Sequence, residues 1–119
     1  MGKYLIEFYE LPDGNKPAKD FIKDLAPKMK AKVIRNIDLL ESNGPMLREP
    51  ISKSLGDGLF ELRNVVGSDI TRIIYFFRKN KVVILTNGFV KKHQKTPRLE
   101  IQLARKYKAD YERRFGNEK

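Results

Sequence analysis

Arg63 and Arg72, in neighbouring apolar runs, and Lys91, Lys92, His93 and Lys95, in the short string "KKHQK", are the side chains whose type and spacing could handle an anion. From Asn87 to Pro97 the chain carries no carboxylate at all. Cations crowded in this way repel one another, so the segment is either simply well solvated or the seat of an anion. Arginine presents its donors in a planar fork that fits phosphate oxygens, and lysine supplies a mobile point charge. Histidine changes its charge near neutrality. Together such groups could hold a phosphate, stabilise charge that develops on it and move a proton.

Positioning them is the work of the surrounding elements. "KYLIEFYE", Lys3 to Glu10, reads as a strand, being rich in aromatic and branched residues. Pro17 suits the first position of a helix that runs through Leu25. After Pro27 a second helix places Met29, Val33, Ile37 and Leu40 on one face, with Gly44 as its left-handed cap and Pro45 preventing continuation. A two-helix hairpin follows from the short join. Met46 to Leu55 has no clear period and reads as loop. "LFELRNV", "ITRIIYFFR" and "VVILTNGF" are strand candidates, separated by "VGSD" and "KNK", which predicts a three-stranded antiparallel meander. The middle run is apolar on both faces around Ile73 to Phe77, Tyr75 and Phe76 included, so helices must cover it on both sides. Thr96 is the expected N-cap of a last helix, with Pro97 its first residue and Glu100 completing a capping box. Ala104, Tyr107 and Tyr111 share one face of that helix, and Arg105, Lys106, Lys108, Arg113 and Arg114 spread over the rest. The expectation is one small α+β domain over residues 1–119.

Strand geometry turns the arginines into a specific expectation. If Val65 pairs with Ile70, Arg63 lies directly opposite Arg72 on the same sheet face. Like charges in that position are unfavourable, and a phosphate between them would explain both. Equally, Glu61 or another carboxylate pairs with one of them, or the register differs and they never meet. A two-residue loop at Asn80 and Lys81 would set Phe89 opposite Arg72 and project Lys91 on the same side, whereas a one-residue slip would remove Lys91 from that face.

The chain has 25 Lys and Arg against 15 Asp and Glu, a formal charge of +10. A surplus of that size implies an anionic partner: nucleic acid first, an acidic protein second, anionic lipid a distant third. Without cysteine there is no disulfide, thiolate metal site or cysteine nucleophile. No window approaches the roughly twenty apolar residues of a membrane span, and the N-terminal apolar stretch is too short for a secretory signal, which points to the cytoplasm.

The order of elements, the "LFELR" and "DITRIIYFF" strands and above all "GFVKKHQKTPRLEIQLA" resemble the phage-derived HigB-like branch of the RelE/ParE toxins of bacterial type II toxin–antitoxin systems. The similarity covers nearly the whole chain. It implies a RelE-like domain that enters the ribosomal A site and cuts messenger RNA without a metal or other cofactor, neutralised by a cognate antitoxin, a small helix-turn-helix protein. By the resemblance, Arg63 and Arg72 bind the scissile phosphate and stabilise its extra charge. Lys91, Lys92 or His93 serves as base or acid. Lys53, Lys95 and Arg98 contact RNA, and Phe89 either stacks on a base or packs in the core. Glu61 stands where RelE carries a lysine, and the late catalytic tyrosine of RelE has no counterpart. That departure keeps two alternatives in view: a non-catalytic binding module or degraded toxin that retains the fold, and ParE-like inhibition of DNA gyrase.

Overall fold

The run from Ile73 to Phe76 is at most 1% exposed at every residue, which is why it is apolar on both faces. In the computed structural model, which describes residues 3–92 and 95–116, that run lies at the centre of a five-stranded sheet. The elements are β1 (Leu5–Phe8), α1 (Pro17–Lys23), α2 (Pro27–Asn43), a 3-10 turn at Gly44–Met46, β2 (Ser52–Gly56), β3 (Leu59–Val66), β4 (Asp69–Arg78), β5 (Val82–Val90) and α3 (Arg98–Phe115). The sheet order is β1-β5-β4-β3-β2. β1 runs parallel to β5, and the remaining pairs are antiparallel. The small α+β domain with its meander is as expected.

Alternation along the strands divides the core in two. On one side Leu62, Ile73, Tyr75, Val83 and Leu85 pack against Ala18 and Ile22 of α1 and Met29, Val33 and Leu40 of α2. On the other, Leu59, Ile74, Phe76, Ile84 and Phe89 pack against Ala104, Tyr107 and Tyr111 of α3. Each fully buried Leu or Ile contributes about 1.5–3 kcal/mol, so both helical layers are held chiefly by these stripes. Gly88 lets α1 come close: a Cβ there would meet the Phe21 ring at 2.4 Å and Ile73 at 2.7 Å.

Four expectations change, the last of them in the second hairpin. Part of the stretch read as loop is β2, which pairs Ser52 with Leu62, Lys53 with Glu61 and Ser54 with Phe60. It is a polar edge strand, and edges are kept short and charged, so it has no apolar period to detect. β1 is shorter than Lys3 to Glu10. Thr96 is not a cap: Pro97 occupies the N-cap position of α3 without a side-chain cap bond. The Glu100 carboxylate instead accepts from Asn87 Nδ2 at 3.1 Å.

The second hairpin reaches its expected pairing by another route. Arg78 pairs with Val82, so the loop holds Lys79, Asn80 and Lys81 rather than two residues. A regular ladder from that turn would carry Phe89 opposite Thr71. Between Ile74, paired with Asn87, and Tyr75, paired with Leu85, Thr86 is an extra residue in a bulge. Its hydroxyl reaches Ile74 O at 3.0 Å and Asn87 Oδ1 at 2.7 Å, so the buried irregularity is satisfied. The longer loop and the bulge cancel, and Arg72 faces Phe89.

Candidate functional site

Arg63 stands directly opposite Arg72 in the β3–β4 ladder, with Val65 opposite Ile70. Both point to the α3 side of the sheet, and so does Glu61, two residues before Arg63. The Glu61 carboxylate accepts Arg63 Nε at 3.1 Å, Arg72 Nη1 at 3.0 and 3.2 Å, and the Thr96 hydroxyl. Thr96 Oγ1 in turn accepts from Arg72 Nη1 at 2.9 Å. The arginines do meet, and the carboxylate between them pairs with both. Removing two charges from water costs several kcal/mol per ion, which good geometry and further hydrogen bonds must offset. Here both are supplied.

The two guanidiniums are not equivalent. The Arg72 side chain is 4% exposed and that of Arg63 22%. Arg72 is anchored, with its Nε buried and lacking an acceptor among the described residues. Arg63 reaches outward, and its Nη1 lies 3.9 Å from the exposed Glu49 carboxylate, an ion pair of little strength.

Above this base opens a cleft of about 390 Å³, lined by Lys53, Arg63, Arg72 and Lys91 with Pro50, Val65 and Ile70 as its apolar walls. β2 delivers Lys53, and the Lys91 amide donates to Ile70 O at 2.9 Å, extending the ladder past β5. Among the described residues four cations converge on the cleft, against one buried carboxylate beneath and one exposed carboxylate at the rim. The surplus is positive, and an anion with several acceptor oxygens suits it.

The other expected residues are placed differently. Lys92 is exposed beyond the end of β5. Lys95 and Arg98 line a separate cleft of about 560 Å³ with Thr96 and Arg105. Arg105 is itself paired with Asp57 at 2.8 Å. Phe89 is only 7% exposed and belongs to the α3-side core, so it offers no platform for a base. His93 lies outside the described residues. The bridging role of Glu61 was only partly visible in sequence, where it figured as partner to one arginine. Thr96 was masked by its resemblance to a cap.

A second polar cluster ties the far end of α3 to the sheet. The Tyr9 hydroxyl donates to Asp110 Oδ2 at 2.5 Å, and Arg114 Nε donates to the same oxygen at 3.0 Å. Burial, helped by the neighbouring carboxylate, pushes the Tyr9 phenol up to about 12. The bond from Tyr9, with Arg114 and Arg113 nearby, holds Asp110 below its ordinary value. Tyr9 also stacks on Tyr107, ring centroids 4.6 Å apart. These contacts are anchoring ones.

Among the described residues no group of His, Cys, Asp and Glu is large enough to hold a metal ion, and no helix is long and apolar enough to cross a membrane. The family described as phage derived protein Gp49-like (DUF891) matches residues 20–109, a span that contains every residue of the cationic cleft. No curated protein matches the chain.

Proposed function

We propose, from the premise that the chain belongs to the phage-derived Gp49-like family, that it is the toxin of a toxin–antitoxin pair and a metal-independent endoribonuclease acting on messenger RNA at the ribosome. The observation that carries this reading is the opposed Arg63 and Arg72, with Lys91 and Lys53, around one cleft. The resemblance to HigB-like and RelE-like toxins supplies the ribosome, the cytoplasm and a helix-turn-helix antitoxin partner.

In the proposed reaction the RNA 2′-hydroxyl attacks the adjacent phosphorus and the bond to the 5′-oxygen breaks, leaving a cyclic phosphate and a free 5′-hydroxyl. Negative charge builds on the non-bridging oxygens. Arg63, the more exposed of the pair, meets those oxygens with its free donors, while Arg72 and Glu61 hold its plane in place. Lys91 is the amine on the cleft wall and is assigned the proton transfer, with Lys92 and His93 as neighbouring candidates. Glu61, beneath both arginines, is a positioning residue.

In-vitro translation of a defined message, with 5′ ends mapped by primer extension, tests the reading. Wild type should cut only when ribosomes are present. Arg63→Ala should lose about 10²–10³-fold in cleavage rate, the usual effect of removing one preorganised donor, in a protein that still folds with a lowered unfolding midpoint, because the buried Glu61 loses one of its two arginine partners. One observation favours a second reading: Glu61 already neutralises part of the arginine pair, as suits a non-catalytic binding module. An intact message in the presence of folded wild type would favour that module, and a DNA supercoiling assay would then test gyrase.

A further inference from the structure

Beside the cationic cleft lies another, of about 360 Å³, between α2 and the β3 side of the sheet. Pro50, Arg63 and Val65 line both, so the two clefts adjoin at Arg63 and together make a groove that passes from the α3 side of the sheet, round its β3 edge, to α2. At its far end stand Lys32 and Arg35, on the face of α2 that also carries Asn36 and Leu39. Among the described residues the combined lining contains no carboxylate.

The far end is held in fixed relation to the near one. The buried Asn36 amide donates from α2 to Arg63 O at 3.1 Å and to Asn64 Oδ1 at 2.9 Å. Arg63 N donates to Ile51 O at 2.7 Å, which brings the segment carrying Pro50 against the same residue. A polar side chain on the apolar face of α2 therefore sets where Lys32 and Arg35 stand relative to the arginine pair. Between Arg63 and the Lys32 and Arg35 end the groove is lined by apolar side chains: Val65 is 47% exposed, and Leu39 and Ile51 flank it. Cations at both ends of an apolar floor fit a strand whose phosphates are gripped while its unpaired bases rest on the protein.

We propose that Lys32 and Arg35 form a second phosphate subsite, so that the groove takes a single-stranded RNA extending from the arginine pair along α2. The inference rests on the ribonuclease reading above and adds the path of the substrate to it. Lys32 is half-buried and Arg35 exposed, and alanine is the best helix former, so Lys32→Ala with Arg35→Ala leaves α2 intact.

Fluorescence anisotropy with 2′-O-methylated oligonucleotides, which cannot be cut, tests it on the full chain. With RNA of about eight nucleotides the double variant should bind roughly tenfold more weakly than wild type. With about three nucleotides, too short to leave the arginine cleft, binding should be unchanged. The slope of log affinity against log salt should fall by about 1.4, two phosphates at about 0.7 each for a single strand. Equal binding of the longer RNA by wild type and double variant, with Arg63→Ala still weakened, would overturn the subsite and leave the cleavage reading standing. No binding by wild type would overturn the subsite, and an Arg63→Ala protein that cuts the message on ribosomes as fast as wild type would end the cleavage reading as well. Displacement by polyglutamate as readily as by RNA would replace the nucleic acid with an acidic protein.

Discussion

Glu61 is the residue on which the site turns. It joins two guanidiniums and a hydroxyl that come from three separate parts of the chain, and it is fully buried. Removing one partner of such a buried set leaves uncompensated charge, so Glu61→Ala should cost about 3–5 kcal/mol in urea unfolding. Thr96→Val keeps the shape and deletes only the hydroxyl, at a cost of about 1–2 kcal/mol. Because Thr96 ties the end of the lysine-rich connection to the arginines, the proposed ribonuclease activity implies that the same variant lowers the cleavage rate while ribosome binding persists; full activity in a stable Thr96→Val protein would show that the connection needs no such tie. At this scale the arginine pairing was legible, because a hairpin can be counted residue by residue. The Thr96 contact was not, since 35 positions separate it from Glu61 and only the packing of α3 brings them together. Lys32 and Arg35 were hidden for a similar reason: they look like the solvated side of α2 until Asn36 fixes how that helix sits.

The elements teach a different lesson about reading a chain. The pairing of Arg72 with Phe89 follows from a simple two-residue loop, yet the structure reaches it with three loop residues and a bulge at Thr86. Hydrophobic pattern could not distinguish the two, because Val83, Ile84 and Leu85 are all apolar and all buried. Either face would accept them. β2 escaped notice because Ser52, Lys53 and Ser54 carry no stripe, and its strand character comes from the partner β3. The turn itself carries a cost: Lys81 sits at φ 59° beside Asn80 at φ 65°, and a left-handed lysine is unfavourable by roughly 1–2 kcal/mol. Lys81→Gly should therefore raise stability by about 0.5–1 kcal/mol. A lower denaturation midpoint in that variant would mean the lysine side chain contributes contacts that outweigh the strain.

For the whole molecule, α3 is the layer that closes the fold, and it is fastened near both ends. Thr96 holds the approach to its N-terminus. Tyr9, Asp110 and Arg114 hold the other end, where Arg78 Nη2 also donates to Phe115 O at 2.9 Å. The Tyr9 phenol is raised from 10.0 to about 12 in the folded state, so folding favours its protonated form. Its contribution is complete below pH 10 and is lost as pH climbs through about 12. Asp110 has the opposite sense: its folded value is depressed, so its contribution is present above 3.8 and lost as pH falls further. Urea midpoints measured across both ranges should decline at each end. Tyr9→Phe should flatten the alkaline limb in part, with Tyr75, Tyr107 and Tyr111, also raised by burial, keeping the remainder. Asp110→Asn should flatten the acid limb. The attachment of α3 has a practical side as well. A chain divided between Lys92 and Lys95 separates the sheet and its arginines from the helix that covers Leu59, Ile74, Phe76 and Ile84. Each half is then incomplete, and only their reassembly restores the Thr96 latch, so the toxin proposed above is one that cells should tolerate as two separate pieces and that regains its site when the pieces are joined in the tube.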